Sequence, residues 1–258
     1  MTDEPEGRLR GRRAIVVGGG GGIGGAIARR FHAEGASVAV VDVNEGKALD
    51  VAEALHGAPG GKVMSLCTDI GSPENAKAAV ETIATALGGL DITVHCAAAR
   101  EPTATVEEAD PADWDEAVRV NLTSMFLLCK YAIPHLRAAG GGVVINIASQ
   151  LGSVVTVGRP AYHATKGAVI QLTKAIAVEC AKDNIRAVSI SPGAIETDRL
   201  LVRHADFDQV RERLVPLHPI GRLGQPDEIA AAALFVASDD ASFMTGADMI
   251  VDGGYTAV

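Results

Sequence analysis

The sequence is poor in aromatic side chains, with one Trp, three Tyr and five Phe among 258 residues. Apolar residues still make up 48% of the chain, so a core must be built from Ala, Val, Ile and Leu. A chain of this length buries most of its surface, and single α/β domains commonly reach it. We therefore expect one domain over residues 1–258. This composition excludes disordered and collagen-like proteins.

Cysteine is also sparse, and none of the four cysteines belongs to a C-x-x-C pair. Scattered thiols favour reduced side chains and a cytoplasmic protein over a disulfide scaffold. The longest apolar stretch, Ile229 to Ala237, is too short to cross a bilayer, and the acidic start is unlike a signal peptide. We therefore expect no membrane association.

Basic clusters and metal-ligand patterns are missing as well. The net charge is −9, and basic residues gather only between Arg8 and Arg13, which argues against a nucleic acid partner. The seven histidines show no ligand spacing, and no paired carboxylates indicate a hard metal. We expect a small-molecule substrate and no metal site.

What is present is an alternation of short β-branched runs and helical periodicity. Strands are predicted at 13–17, 37–41, 62–66, 92–96, 143–148, 186–190 and 248–251. Helices are predicted at 23–34, 47–56, 73–87, 114–139, 161–182 and 227–237. Continuous Val and Ile runs are typical of strands buried on both faces. The pattern predicts an α/β fold with a doubly wound parallel sheet of about seven strands and helices on both faces.

Residues 195–223 interrupt this alternation with mixed charges and two prolines. They follow the carboxyl end of a predicted strand, where folds of this class bind ligands. A mobile substrate lid is the favoured interpretation, and an ordinary surface helix is the alternative.

Glycine is abundant, and seven of the 29 glycines lie between Gly18 and Gly25. This run joins the first predicted strand to the first predicted helix. Backbone without Cβ atoms can approach a pyrophosphate closely, and the helix N-terminus supplies free N–H groups. The loop is therefore a candidate dinucleotide site with contacts from Gly18, Gly22, Ile23 and Gly24.

Two acids follow the next two predicted strands. Asp42 could accept a hydrogen bond from a ribose 2′-OH and would repel a 2′-phosphate, which favours NAD over NADP. Its alternative role is to cap the next helix. Asp69 could meet the adenine edge, with Ile70 packed on the ring, or it could be a turn residue.

Tyr162 and Lys166 are four residues apart on a predicted helix and so share one face. A nearby ammonium stabilises a phenolate, which lets tyrosine exchange a proton near neutral pH. Ser149 ends the fifth predicted strand, where its hydroxyl could bond a carbonyl oxygen. Asn121 lies inside a predicted long helix, where an amide is unfavourable and a polar role is indicated.

With these motifs in this order, the chain resembles the short-chain dehydrogenase/reductase family from Gly11 to Val258. The resemblance implies a Rossmann-like fold and an NAD(H)-dependent oxidoreductase that interconverts a secondary alcohol and a ketone by hydride transfer. It implies that Tyr162 is the acid–base catalyst and that Lys166 holds the nicotinamide ribose. It also implies that Ser149 orients the substrate oxygen and that Asn121 keeps a water in a proton relay.

The resemblance extends to other segments. It implies further cofactor contacts from Ala97, Pro192, Gly193, Ile195 and Thr197. The segment Val251 to Gly254 is similar to a carboxyl-terminal signature that accompanies homotetramers. Two departures predict altered local bonding: Val17 stands where the family has Thr, and His95 to Ala98 replace Asn-Asn-Ala-Gly.

Candidate substrate-pocket residues are Gln150, Leu151, His163, Arg100 and Arg159, and either arginine could hold an anionic group. Two other functions stay open at this point. One is a 3-oxoacyl carrier-protein reductase, although such enzymes generally use NADPH. The other is a regulator that senses NAD without turnover.

Overall fold

Seven strands and eight α-helices make up the computed structural model, which describes residues 7–258. The strands are β1 Arg13–Val17, β2 Ser37–Asp42, β3 Val63–Cys67, β4 Ile92–His95, β5 Gly142–Ile147, β6 Ile185–Pro192 and β7 Asp248–Val251. The helices are α1 Gly22–Ala33, α2 Glu45–Leu55, α3 Pro73–Leu87, α4 Pro111–Val118, α5 Ser124–Ala138, α6 Pro160–Cys180, α7 Phe207–Leu214 and α8 Pro226–Ala237.

All seven strands form one parallel sheet in the order β3-β2-β1-β4-β5-β6-β7. The order reverses between β1 and β4, so neighbouring loops diverge there and leave a crevice at the carboxyl edge. The predicted doubly wound parallel α/β sheet, folded as a single domain, is confirmed.

The sheet is covered on both faces, because successive strand residues point to opposite sides. Val16 and Ile145 pack into a core with α1 and α8, and the preceding residues Ile15 and Val144 pack into a second core with α3 and α5. Phe31 is the one aromatic among the buried core residues of the described chain. The core is therefore aliphatic, as the composition predicts.

The predicted single helix over 114–139 is wrong. It begins earlier, at Pro111 after the Asp110 cap, and a π-helical turn at Arg119–Thr123 separates α4 from α5. Such turns are frequent at functional sites. The other predicted elements agree with the structure to within a few residues.

The segment 195–223 contains helix α7 between short 3₁₀ turns. Asp206 caps α7 by accepting a hydrogen bond from the Gln209 N–H. A helix is therefore present in this segment, and the choice between a lid and an ordinary surface helix stays a prediction. None of the helices in residues 7–258 has the length and hydrophobicity required to cross a membrane.

Candidate active site

The carboxyl ends of four adjacent strands bring the predicted site residues to one edge of the sheet. Gly18 follows β1, Ala97 follows β4 and Ser149 follows β5, while Pro192 ends β6. Since parallel strands all end at this edge, residues far apart in sequence meet there.

The glycine loop is packed directly against the end of β4. Gly18 has a φ of +73°, and a Cβ built on it would lie 2.7 Å from the Ala97 nitrogen. A Cβ on Gly24 would collide with the Gly18 carbonyl oxygen. Helix α1 begins without a side-chain cap, so its first N–H groups face the loop. This cradle of bare backbone at a helix N-terminus fits a dinucleotide pyrophosphate.

Asp42 lies beside this loop. Its Oδ2 accepts a hydrogen bond from the Gly20 N–H at 3.0 Å, and its Oδ1 accepts one from the Asn44 N–H at 3.0 Å. Asn44 is the residue that caps α2, by accepting from the Lys47 N–H. The capping role considered for Asp42 is therefore wrong, and its carboxylate is fixed next to the glycine loop.

Asp69 forms a turn of its own after β3. Its Oδ1 accepts from the Gly71 N–H at 2.8 Å, and its Oδ2 accepts from Arg119 at 2.7 Å. The turn alternative therefore describes its backbone contacts, while the contact with adenine stays a prediction. Ile70 is buried, with 4% of its surface exposed.

Tyr162 and Lys166 lie on the same face of α6, as their spacing predicts. The Lys166 Nζ is 5.7 Å from the centre of the Tyr162 ring and donates to the Ile147 carbonyl at 2.7 Å. That carbonyl is at the end of β5, two residues before Ser149. The strand thereby holds the ammonium between the Tyr162 ring and the sheet.

The electrostatics favour ionisation of the Tyr162 phenol. Burial raises the pKa of Tyr162, but the charges of Lys166, Arg199 and Arg159 and a hydrogen bond with Ser149 together lower it below its ordinary value. Burial also lowers the pKa of Lys166, while the phenolate opposes that shift. The arrangement can therefore exchange a proton with a substrate oxygen near Ser149.

Asn121 lies in the π-helical turn, with 1% of its surface exposed. Its Oδ1 accepts from the Ala99 N–H at 2.7 Å, and its Nδ2 donates to the Thr165 hydroxyl at 3.0 Å. The side chain thus joins the loop after β4 to α6, which carries Tyr162. This is the polar role that an amide inside a helix indicates.

His95, one of the departures from the family pattern, forms a buried hydrogen bond with Ser124. Its Nε2 is 2.6 Å from the Ser124 hydroxyl, which in turn donates to the Val120 carbonyl at 2.6 Å. Burial raises the pKa of the neighbouring Cys96 thiol to about 11, so this cysteine stays protonated. The predicted change in local bonding is therefore a link from β4 to the first turn of α5.

The loop after β6 faces the glycine loop. A Cβ built on Gly22 would lie 3.3 Å from the Thr197 methyl group. The Gly193 N–H donates to the Val251 carbonyl at 3.0 Å, and Ile195 pairs with Gly224 in an isolated β-bridge. Ile195 and Thr197 are thus held across the crevice from α1.

Sequence reasoning missed part of the site. Arg199 donates to the carbonyls of Ala98 and Ala99 at 2.9 and 2.7 Å, and its guanidinium is 5.5 Å from the Tyr162 ring centre. The guanidinium of Arg159, which the sequence analysis names as a pocket candidate, lies 3.9 Å from the same ring centre. Glu101 and Arg203 complete this group. Two separate loops supply Glu101, Arg199 and Arg203, so no spacing along the chain identifies them.

Other pocket candidates have simpler surroundings. Gln150 is buried and its Oε1 lies 2.8 Å from a Cβ built on Gly193, so it faces the loop after β6. His163 accepts from the Thr156 N–H at 3.3 Å. Leu151 is 9% exposed, and Arg100 is exposed. In residues 7–258, no group of three His, Cys or acidic side chains is arranged to hold a metal ion.

Comparisons with known proteins agree with this architecture. A family model described as enoyl-(acyl carrier protein) reductase matches residues 18–256. Cis-4-hydroxycyclohexanecarboxylate dehydrogenase of Sinomonas cyclohexanicum is 40% identical over 96% of this chain and 97% of its own length. Cyclohexanol dehydrogenase of Acinetobacter sp. (strain SE19) is 38% identical over 95% of this chain and 94% of its own length.

A solved structure extends the likeness to three dimensions. This is 7 alpha-hydroxysteroid dehydrogenase complexed with NADH and 7-oxo glycochenodeoxycholic acid, with a TM-score of 0.90 and 33% identity. The match covers 98% of this chain and 98% of that one. The chain belongs to the short-chain dehydrogenase/reductase family, and it is an oxidoreductase that acts on CH–OH groups.

Proposed function

We propose that this chain is an NAD(H)-dependent dehydrogenase that interconverts a secondary alcohol and a ketone, with Tyr162 as the acid–base catalyst. One observation supports the proposal most strongly. Lys166, Arg199 and Arg159 surround the Tyr162 ring, and Ser149 bonds its hydroxyl, so that the phenol is more acidic than a free tyrosine. A phenol of lowered pKa is suited to general acid–base catalysis near neutral pH.

The glycine cradle supports a nicotinamide dinucleotide. Bound nicotinamide would accept or supply the hydride. The phosphates would lie on Gly18, Gly22, Ile23 and Gly24, and Asp42 would accept from a ribose 2′-OH. The remaining contacts would come from Asp69, Ile70, Ala97, Pro192, Gly193, Ile195 and Thr197, together with Tyr162 and Lys166. The fixed carboxylate of Asp42 favours NAD, because a 2′-phosphate would be repelled there.

The chemical roles follow from the contacts of each side chain. In the oxidising direction the Tyr162 phenolate removes the hydroxyl proton, and Ser149 hydrogen-bonds the same oxygen as its charge changes. Lys166 stabilises the phenolate. The side-chain amide of Asn121 bonds Ala99 and Thr165, and we assign to this residue the water of a proton relay.

The first experiment measures initial rates of cyclohexanol oxidation with NAD⁺ and with NADP⁺. We expect turnover with NAD⁺ and a loss of at least about 100-fold in kcat for Tyr162→Phe. Tyr131→Phe is the matched control, because Tyr131 lies on α5 away from the crevice. Normal turnover by the Tyr162 variant would disprove the proposed role.

The same assay separates the alternatives. A preference for NADPH and for 3-oxoacyl substrates would favour a carrier-protein reductase. Tight NAD binding without turnover across a panel of alcohols and ketones would favour a sensor.

The proposal also includes the organisation of the protein. A homotetramer is supported by exposed apolar side chains on α5, α6 and the carboxyl-terminal part: Phe126, Val178, Phe243 and Ile250. Light scattering would measure its mass. Four free thiols support a reducing, cytoplasmic location. The role of 195–223 as a substrate lid is supported by the bonds of Arg199 to the loop after β4.

A further inference from the structure

We propose that the alcohol substrate carries an oxyanion, such as a carboxylate, which Arg159 and Arg203 bind beside Tyr162. The proposal rests on the dehydrogenase activity proposed above and specifies its substrate class. It starts from a cluster of charged side chains that the dehydrogenase chemistry does not itself require.

The cluster is assembled from three loops. Arg159 immediately precedes α6, Arg203 lies between β6 and α7, and Glu101 lies in the loop after β4. The Glu101 Oε1 is 3.7 Å from an Nη of Arg159 and 3.6 Å from an Nη of Arg203. One buried carboxylate therefore lies between two guanidiniums and aligns both. Arg203 also donates to the Glu101 carbonyl at 2.9 Å.

The positive charge in this cluster is only partly neutralised by the protein. Arg159, Arg199 and Arg203 carry three positive charges, and Lys166 adds a fourth on the other side of the Tyr162 ring. Within residues 7–258, Glu101 is the one carboxylate that forms ion pairs with any of them. An anion bound at this position would balance charge that the site otherwise leaves uncompensated.

Hydrogen-bonding capacity is also left over. Eight buried side-chain N or O atoms of the described residues have no hydrogen-bond partner, and three of them belong to this cluster. They are Glu101 Oε1, Arg159 Nε and Arg203 Nε. Buried polar groups are normally satisfied, and the two Nε–H donors are the members of this group that an oxyanion can satisfy, because Glu101 Oε1 is itself an acceptor.

Arg199 differs from the other two arginines in its contacts. Both of its terminal nitrogens already donate to backbone carbonyls, of Ala98 and Ala99. The Arg159 side chain donates no hydrogen bond inside the described chain, and the Arg203 side chain donates through one nitrogen only. Two planar guanidiniums with free N–H groups match the paired oxygens of a carboxylate. Arg199 is therefore the loop anchor, and Arg159 and Arg203 are the binding pair.

The distance from the catalytic ring limits the shape of the substrate. The Arg159 guanidinium stacks 3.9 Å from the centre of the Tyr162 ring. The anion and the reacting hydroxyl must therefore lie on one small molecule, with the hydroxyl at Tyr162 and the anion at the neighbouring guanidinium. We test this with an alcohol that carries a carboxylate across a six-membered ring from its hydroxyl.

The experiment compares matched alcohols with saturating NAD⁺: cis-4-hydroxycyclohexanecarboxylate, its methyl ester and the corresponding sulfonate. We expect the wild-type protein to prefer the carboxylate over the ester by about 10- to 100-fold in kcat/KM. Arg203→Gln should remove most of this preference through KM, with kcat and the ester changed less than about threefold. The sulfonate shows whether the site selects a planar anion or accepts any oxyanion.

Two further variants sharpen the test. Arg159→Gln should lose the same preference. Arg29→Gln is the control, because Arg29 lies exposed on α1 and belongs neither to the glycine loop nor to the arginine cluster. We expect its kcat/KM for each alcohol to equal that of the wild type.

The failures of the two proposals can be told apart. If the carboxylate and the ester are turned over with equal kcat/KM, the anion site is disproved and the dehydrogenase activity stands. If no alcohol is oxidised, the proposed function fails first. A rise of KM for NAD⁺ in the Arg203 variant, equal to the rise for the carboxylate, would assign the arginines to the cofactor and overturn the inference.

Discussion

His95 should make the stability of the protein depend on pH in a way that one substitution removes. The side chain is 1% exposed at the end of β4. The Ser124 hydroxyl donates its only proton to the Val120 carbonyl, so it must accept the hydrogen bond that joins it to the His95 Nε2. The Nε2 therefore carries a proton, and the hydrogen bond joins β4 to the helix that follows Asn121.

The size of this pH dependence of stability follows from the shift in the pKa of His95. Burial, assisted by the charge of Lys166, lowers the pKa of His95 from 6.5 to about 3. Between these two values the unfolded chain binds a proton at this position and the folded chain does not. Stability is therefore lost as pH falls below 6.5, by about 1.4 kcal/mol per pH unit. From pH 6.5 to pH 4 the loss is about 3 kcal/mol.

The assay is urea unfolding from pH 7 to pH 4 at one protein concentration. His95→Gln keeps a hydrogen-bond donor but cannot titrate. Its free energy of unfolding should therefore fall by about 3 kcal/mol less than that of the wild type between pH 6.5 and pH 4. His56→Gln is the control, because His56 is exposed. Parallel pH dependences of the wild type and His95→Gln would refute the reasoning. If the His95→Gln variant is too unstable to study, NMR of the wild-type protein should show that the His95 imidazole is neutral down to pH 4.

Two other outcomes test the site. Lys166→Met removes the largest of the charges that lower the pKa of Tyr162, so the rising limb of the pH profile of kcat/KM should move to higher pH, with kcat at pH 7 reduced at least about 100-fold. Gly18→Ala places a Cβ 2.7 Å from the Ala97 nitrogen at a φ of +73°, so KM for NAD⁺ should rise more than about tenfold, whereas the exposed Gly46→Ala in α2 should leave it unchanged. An unshifted profile or an unchanged KM would contradict them.

The parts of the fold that sequence predicts are those encoded by neighbouring residues. The continuous apolar run in Arg13–Val17 is typical of a strand buried on both faces. Ser72 followed by Pro73 predicts the start of a helix, because the serine caps it and the proline fits its first turn. Tyr162 and Lys166 are found by their spacing, because four residues complete about one helical turn. Their positions in the structure agree with those predictions.

The parts that sequence does not predict depend on tertiary contacts. The π-helical turn at Arg119–Thr123 follows helix-forming residues and carries no pattern of its own; its Asn121 is satisfied only by Ala99 and Thr165 from other elements. Arg203 and Glu101 are 102 positions apart and read individually as solvated charges. Only the folded chain makes them one cluster.

Arg199 connects residues 195–223 to the acidity of Tyr162. It belongs to this segment, yet its terminal nitrogens bond the loop after β4 and its charge helps to lower the pKa of Tyr162. Lys166 and Arg159, the other two cations at the ring, belong to α6 and to the residue before it, and Lys166 is bonded to the end of β5. The acidity of Tyr162 therefore depends on two parts of the chain, and its full shift requires residues 195–223 to be seated on the loop after β4.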